Sequence, residues 1–440
     1  RGAQVLQGIL ALLWQHGIEK GYDLAIISGT TRQFKLYHHL GFVAFGPVVG
    51  SGEAQFQPMY VTLETFEHTA REFLRSSPCR SFQPSAVSFL PGPVPVPREV
   101  RRAFEQPAES HRAEAFVRDF QTTRQVLCEL VRASKAELLL GSGTLANDVV
   151  AGQLCLEKRR GLILSNGEFG ERLIDHAKRF ALDFQALEFP WGRSLDLAAV
   201  RKGLDQKPAP GWVWCAHCET STGVLNDLDM LKRLCGEFQA RLCLDGISSI
   251  GTLAVDLRGV YLATAASGKG LRAYPGISMV FYHHEAAPAP QALPRYLDLG
   301  CYAANQGIPF TFSSNLLHAL HAALRRVHWE QRFAELAERS AWLRARLCEL
   351  GFDLVGSDTR TSPAVLTIAL PEQLNSVKIG GLMQESGYLL SCNSEYLRRR
   401  NWIQISLMGE CAKEKLVSLL NALNRVCFRR RPVLAMNYEL

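Results

Sequence analysis

The chain has 440 residues, 47% of them hydrophobic and 21% charged, with a formal net charge of +7. That balance suits a soluble globular protein of two or three domains, and the modest charge, with no basic stripe interleaved with aromatics, speaks against nucleic-acid binding. No stretch approaches the roughly 20 apolar residues that span a bilayer, and the twelve cysteines are irregularly spaced within strand and helix patterns, as expected of reduced thiols in the cytoplasm rather than a disulfide framework.

In chain order, the first 75 residues predict an amphipathic helix to about Lys20, a strand over Leu24–Ser28, a helix and turn over Arg32–Phe42 and a strand over Gln57–Leu63. The run Leu36-Tyr37-His38-His39-Leu40-Gly41-Phe42 is similar to the closing helix-and-strand motif of GNAT-type N-acetyltransferases. The resemblance puts Tyr37 at that family's proton-donating tyrosine; the alternative is a half-buried residue facing the sheet. It covers only the C-terminal half of such a fold, and the start Gly2-Ala3-Gln4 offers little for a pyrophosphate loop. A truncated or remnant module without acyl-CoA chemistry of its own is therefore expected. Residues 76–88, rich in serine and proline, read as a linker.

Beyond Phe89-Leu90-Pro91-Gly92-Pro93, the pattern alternates strand, loop and helix over roughly residues 130 to 285, as in a mostly parallel sheet whose ligands gather at the carboxyl ends of strands. The first such end is Gly141-Ser142-Gly143-Thr144, a glycine turn opening a helix that runs to about Glu157. Free N–H groups at a helix start and the Ser142 and Thr144 hydroxyls can cradle a phosphate, although such a turn is often plain turn chemistry. Asn166-Gly167-Glu168-Phe169-Gly170-Glu171-Arg172 forms a glycine-flanked loop, and the strand Gly211–Ala216 runs into Glu219-Thr220-Ser221-Thr222-Gly223. Cys215 and Cys218 have metal-like spacing but no second pair nearby, so a strand end is the better reading.

The next strand ends at Asp245, and Lys269 follows 24 residues later in Ser267-Gly268-Lys269-Gly270. A lysine amine can hold a cofactor aldehyde as a Schiff base, and a carboxylate beside a pyridine nitrogen keeps that nitrogen protonated, so the ring accepts electrons from a carbanion. Taken singly, each residue fits a loop lysine or a helix-capping aspartate equally well. After a turn at Tyr274-Pro275-Gly276 come the strand Ile277–Tyr282 and a long amphipathic helix, Asn315 to Leu350, broken near Trp329. Strands near Ala364–Leu370 and Trp402–Leu407 then alternate with helices near Val377–Ser386 and Cys411–Val426, before a basic tail over residues 429–440.

Over roughly residues 88 to 425 these motifs, closing with Ile405-Ser406-Leu407-Met408-Gly409, resemble the class V aminotransferases of fold type I. The likeness is greatest to the group of alanine-glyoxylate, serine-pyruvate and 2-aminoethylphosphonate aminotransferases. It implies an α/β fold, with a mixed, mostly parallel sheet in a large domain (89–330) and a smaller α+β C-terminal domain (331–428). It also implies pyridoxal 5'-phosphate, a small-molecule amino donor, an oxo acid acceptor, ping-pong transfer and a homodimer with shared sites. Carried over by residue, it implies Lys269 as Schiff-base lysine and Asp245 as partner of the pyridinium nitrogen. Ser142, Gly143 and Thr144 would hold the phosphate, Phe169 would stack on the ring, Thr220 would reach it, and Ser267, beside the lysine, would also bind the cofactor.

Three departures qualify the substrate. Gln404 stands where relatives carry the arginine that grips the substrate carboxylate, and an amide brings no charge. Either Arg272, Arg295 or Arg398-Arg399-Arg400 replaces it, or the substrate presents something other than an α-carboxylate. Gly268 precedes the lysine where several relatives have glutamine or another polar residue. In the loop over residues 301–311, which the family sends into the neighbouring subunit's phosphate site, Asn305, Gln306 or Thr311 would stand in for the usual side chains. Two other readings remain: a lyase or desulfurase on the same scaffold, with Cys392 as the loop cysteine, and a non-catalytic fusion that senses acyl-CoA.

Overall fold

The structure, a computed structural model, describes residues 22–51, 54–62, 86–409 and 411–428, with isolated positions 10, 65, 66 and 69. The helix expected before Lys20, most of the linker and the basic tail lie outside the described residues. The chain divides into two compact units, Arg1–Ala86 and Val87–Leu440.

In the first unit, strand β1 (Leu24–Thr30) runs antiparallel to β4 (Ala54–Thr62), from Leu24 opposite Thr62 to Thr30 opposite Phe56. The short strands β2 (Val43–Ala44) and β3 (Val49–Ser51) also pair with β4. A core of Leu40, Phe42, Met59, Val61 and Phe66 lies under this sheet. Tyr37, on the helix Phe34–His39, packs against it: a Cβ added to Gly29 would sit 3.0 Å from its ring, which meets Phe42 edge-on at 6.2 Å.

The second unit is built around a seven-stranded sheet. After β5 (Val87–Ser88), its strands are β6 (Lys135–Gly141), β7 (Gly161–Ser165), β8 (Phe184–Glu188), β9 (Trp212–Ala216), β12 (Arg241–Asp245), β13 (Leu262–Ala266) and β14 (Gly276–Tyr282). The order is β6-β14-β13-β12-β9-β7-β8, parallel except for β14, which is antiparallel to both neighbours. All of β7 and β9 is buried, as befits strands covered by helices on both faces, and their sequences accordingly carry continuous apolar runs. Between β9 and β12, the loop after β9 forms the tight hairpin of β10 (Cys218–Glu219) and β11 (Val224–Leu225).

The helix expected over Asn315–Leu350 is two helices, Ser314–Arg325 and Trp329–Glu349. The Ser313 hydroxyl caps the first by accepting the Leu316 N–H. Beyond them, β15 (Asp353–Leu354), β16 (Val365–Ala369) and β18 (Trp402–Ser406) form an antiparallel sheet over a second apolar core that includes Leu343, Leu366, Ile405 and Leu420. One feature departs from the sequence reading. Val87 and Ser88, expected in a linker, form β5 and pair in parallel with β17 (Tyr388–Leu389), and Phe89 is fully buried in that C-terminal core. The reason is burial of Val87 and Phe89 against partners some 300 residues away.

Candidate active site

The carboxyl ends of β6, β7, β9, β12 and β13 carry the chemistry-bearing residues. Asp245 ends β12 and is 6% exposed. Its Oδ2 accepts the Asn147 side-chain N–H at 2.9 Å and its Oδ1 the Ile247 backbone N–H at 3.0 Å. Asn147 is itself fixed, because its Oδ1 accepts the Thr264 hydroxyl at 3.0 Å, and Thr264 is the register partner of Asp245 on β13. Burial raises the Asp245 pKa above the usual carboxylate range, while Asn147, the Ile247 N–H and the Lys269 amine pull the other way.

Lys269 sits half-buried on the turn after β13. Burial lowers its pKa and the Asp245 charge opposes that shift, so the two groups feel each other. Gly92 forms a wall beside the amine, since an added Cβ would lie 3.1 Å from Lys269 Cε and 3.2 Å from Nζ. Gly268 has an equally direct cause: an added Cβ would meet Pro275 Cγ at 2.8 Å, so the turn leaves no space for a longer residue before the lysine.

Ser142 is the N-cap of the helix Gly143–Glu157, yet its hydroxyl makes no capping bond. The first-turn N–H groups of Gly143 and Thr144 have no partner four residues back in the helix, leaving donors at the positive end of the dipole. Gly143 brings this turn against the Asp245 loop, because an added Cβ would stand 2.5 Å from Ile247 Cδ1. Thr220 is buried after β10 and donates to the Ser248 hydroxyl at 2.7 Å.

Phe169 is in the first turn of the helix Glu168–Arg179, half-buried, with the Arg172 guanidinium 4.9 Å from its ring centre. The wholly buried Glu219 positions it. The Glu219 carboxylate accepts the N–H groups of Phe169 (3.1 Å), Gly170 (3.0 Å) and Ser221 (3.1 Å) and the Ser221 hydroxyl (2.5 Å). Burial raises its pKa against those donors. The carboxylate thus occupies a helix N-terminus that would otherwise present open donors.

A family model described as Aminotransferase class-V matches residues 101–294. The soluble hydrogenase 42 kDa subunit of Anabaena cylindrica is 32% identical over 311 residues, covering 67% of this chain and 81% of that protein. The L-aspartate–glyoxylate aminotransferase of Paracoccus denitrificans is 28% identical over 312 residues, covering 64% of this chain and 76% of that protein. Among solved structures, an aspartate aminotransferase of Thermus thermophilus superposes with a TM-score of 0.69 at 27% identity, covering 77% of this chain and 98% of that one. The chain belongs to the class V aminotransferase family.

As a class V aminotransferase it moves an amino group between a donor and an oxo-acid acceptor and uses pyridoxal 5'-phosphate. The residues present fit that cofactor: a desolvated amine, a buried carboxylate fixed by two donors, and open N–H groups at a helix start.

Other expected residues have different partners. Ser267 is fully committed to the turn, with its hydroxyl donating to the Tyr274 carbonyl at 2.6 Å and accepting the Ile277 N–H at 3.2 Å. It shapes the lysine turn. Gln404 on β18 is wholly buried. Its Nε2 donates toward the carbonyls of Thr220 (2.6 Å) and Ser221 (3.1 Å) and the Thr367 hydroxyl (2.9 Å), and its Oε1 accepts the Tyr396 hydroxyl at 3.2 Å. The amide expected to meet a substrate carboxylate is spent on tying β18 to the Thr220 loop. Thr311 is exposed in a pocket lined by Leu138, Tyr302 and Phe312, and among the described residues no hydrogen bond joins it to the Asp245–Lys269 group.

Of the arginines considered for the carboxylate, Arg399 pairs with Glu395 and Arg400 lies over the Trp191 ring at 3.9 Å. Cys392 is buried under the helix Ser376–Glu385, where a Cβ added to Gly380 would strike its Sγ at 2.1 Å, so it is not a mobile loop thiol. Cys215 and Cys218 are both buried, and burial pushes the Cys218 thiol up to about 12. Among the described residues no group of three or more His, Cys, Asp or Glu is arranged to hold a metal, and no helix is long and apolar enough to cross a membrane.

Sequence reasoning passed over Asn147, Glu219, Thr264 and Gly92. Asn147 carried a signal: it lies three residues after Thr144, on the same face of the helix. Thr264 lies in an apolar strand and had none.

Proposed function

We propose that Lys269 carries the cofactor aldehyde and Asp245 faces its pyridine nitrogen, with Ser142, Gly143 and Thr144 around the phosphate, Phe169 against the ring and Thr220 at its edge. The observation that carries this reading is the opposed pair at neighbouring strand ends. Burial favours a neutral Lys269 amine, and the Asp245 carboxylate beside it is held by Asn147 and the Ile247 N–H. Bound there, pyridoxal 5'-phosphate supplies an aldehyde and an electron-accepting ring. The chain does the rest. Lys269 Nζ, freed when the donor amine takes its place on the aldehyde, would carry the donor's Cα proton to the carbon that had been the aldehyde, Asp245 would hold positive charge at the ring nitrogen, and Gly92 keeps the space beside the amine narrow.

Lys269→Ala is expected to abolish both turnover and the visible absorption of bound cofactor; an undiminished rate overturns the assignment. L-aspartate with glyoxylate, named for the Paracoccus relative, is the first pair to screen.

The unit is read as a large domain over 89–330 and a small one over 331–428, in a cytoplasmic homodimer where Thr311 serves the neighbouring subunit's phosphate site. Light scattering and a Thr311→Ala effect on cofactor affinity test the dimer. The first unit is read as a partial GNAT-like segment, supported by the strand, helix and strand around Tyr37. Titration with acetyl-CoA tests it, and tight binding would revive the sensor reading.

A further inference from the structure

An oxo-acid acceptor carries a carboxylate, as does an amino-acid donor such as L-aspartate, and Gln404 has no donor left to offer it. One cation whose charge reaches the Lys269 amine is Arg172. Arg172 stands one turn into the helix that presents Phe169, and its guanidinium lies over that ring at 4.9 Å. Two of its nitrogens, Nε and Nη2, converge on one oxygen of Glu168, at 3.0 and 2.9 Å. That arrangement orients the planar group and leaves its remaining N–H donors open, on a side chain 53% exposed. Its charge also reaches inward, disfavouring the protonated Lys269 amine and favouring the ionised Tyr396 hydroxyl. Tyr396 in turn bonds Gln404, so the charge of Arg172 is felt by the residue that holds the spent amide.

Resting on the reading of Lys269 given above, we propose that Arg172 receives the carboxylate common to the amino donor and the oxo-acid acceptor. With Phe169 against the cofactor ring, the guanidinium 4.9 Å from the Phe169 ring centre would lie close to the same pocket. A planar fork with open donors suits a carboxylate in two-point fashion, which an ammonium cannot match.

The experiment compares wild type, Arg172→Gln and Arg172→Lys, all loaded with cofactor. For Arg172→Gln, KM for L-aspartate and for glyoxylate should rise on the order of tenfold to hundredfold, as for loss of a charge-assisted hydrogen bond. Rates with a primary alkylamine lacking a carboxylate should fall much less than those with L-aspartate. Propionate, an unreactive carboxylate, should perturb the cofactor absorbance of the wild type at far lower concentration than that of Arg172→Gln, with Arg172→Lys in between. Unaltered KM and propionate titration in Arg172→Gln overturn the proposal, as does an equal loss with the alkylamine, which would mark a structural role. An active Lys269→Ala would instead overturn the site reading itself, so the two failures are distinguishable.

Discussion

Asn147 and Asp245, on a helix and a strand 98 residues apart, share a 2.9 Å hydrogen bond, and the Thr264 hydroxyl fixes the far side of the amide. The Asn147 side chain therefore has its N–H turned toward Asp245 and its carbonyl turned away. It offsets part of the burial that pushes the Asp245 proton affinity up. Asn147→Ala should raise that affinity further and lower kcat on the order of tenfold to hundredfold, the worth of a hydrogen bond to a charged group. A kcat within twofold of wild type would remove Asn147 from the account. Asp245→Ala should keep some cofactor and lose most turnover.

Gly92 gives a steric test. A methyl group placed there lands 3.1 to 3.3 Å from three atoms of the Lys269 side chain, closer than comfortable carbon contacts of about 3.5–4.0 Å. Gly92→Ala is expected to slow the appearance of visible absorbance when apoprotein is mixed with cofactor. The wild-type rate should climb with pH about a midpoint below the ordinary lysine value of 10.5, since burial favours the neutral amine. Equal reconstitution rates for both proteins would show that the amine has more room than the geometry allows.

Removing the Glu219 carboxylate strands the N–H groups of Phe169, Gly170 and Ser221 in a buried place. Each stranded donor costs about 1–3 kcal/mol, so Glu219→Ala should lower stability by at least about 3 kcal/mol, read as a fall in Tm. Glu219→Gln, which keeps an acceptor, should fall between. If Glu219→Ala melts with the wild type, the clamp at this helix start is not holding Phe169.

His217, next to Cys218 and 4% exposed, predicts an acid limb of stability. Burial pushes its pKa down to about 4 from an ordinary 6.5. The unfolded chain then takes up a proton that the folded chain refuses. The stability linked to this group is full above about pH 6.5, is lost as pH falls, and levels off below about 4. The whole contribution is on the order of 3 kcal/mol. In His217→Gln the Tm should depend less steeply on pH between 6.5 and 4; an unchanged slope would assign the acid limb to other groups.

The site was legible in the sequence where local chemistry is unusual: a glycine turn opening a helix, an aspartate closing an apolar strand, a lysine between glycines. Those features need no distant partner to be noticed. Gln404 was legible only as a substitution. Its meaning lies in carbonyls 183 and 184 positions away, and nothing near residue 404 announces them. The partner of Ser267 was hidden for a different reason, because proximity to Lys269 in sequence says nothing about where its hydroxyl turns, and a tight return at Tyr274 accepts it. Strand β5 was hidden because two residues carry no periodicity, and only the pairing with Tyr388 and Leu389 makes them a strand.

That pairing bears on how the protein is made. Val87 and Phe89 are stitched to Gly387 and Leu389, and the Ser406 N–H closes on the Phe89 carbonyl, so Gly92 reaches Lys269 from a segment anchored in the last third of the chain. On a ribosome the lysine and its aspartate emerge long before that anchor exists. The nascent protein would hold an amine with one wall missing until synthesis has passed Ser406, and only then could it close around its vitamin.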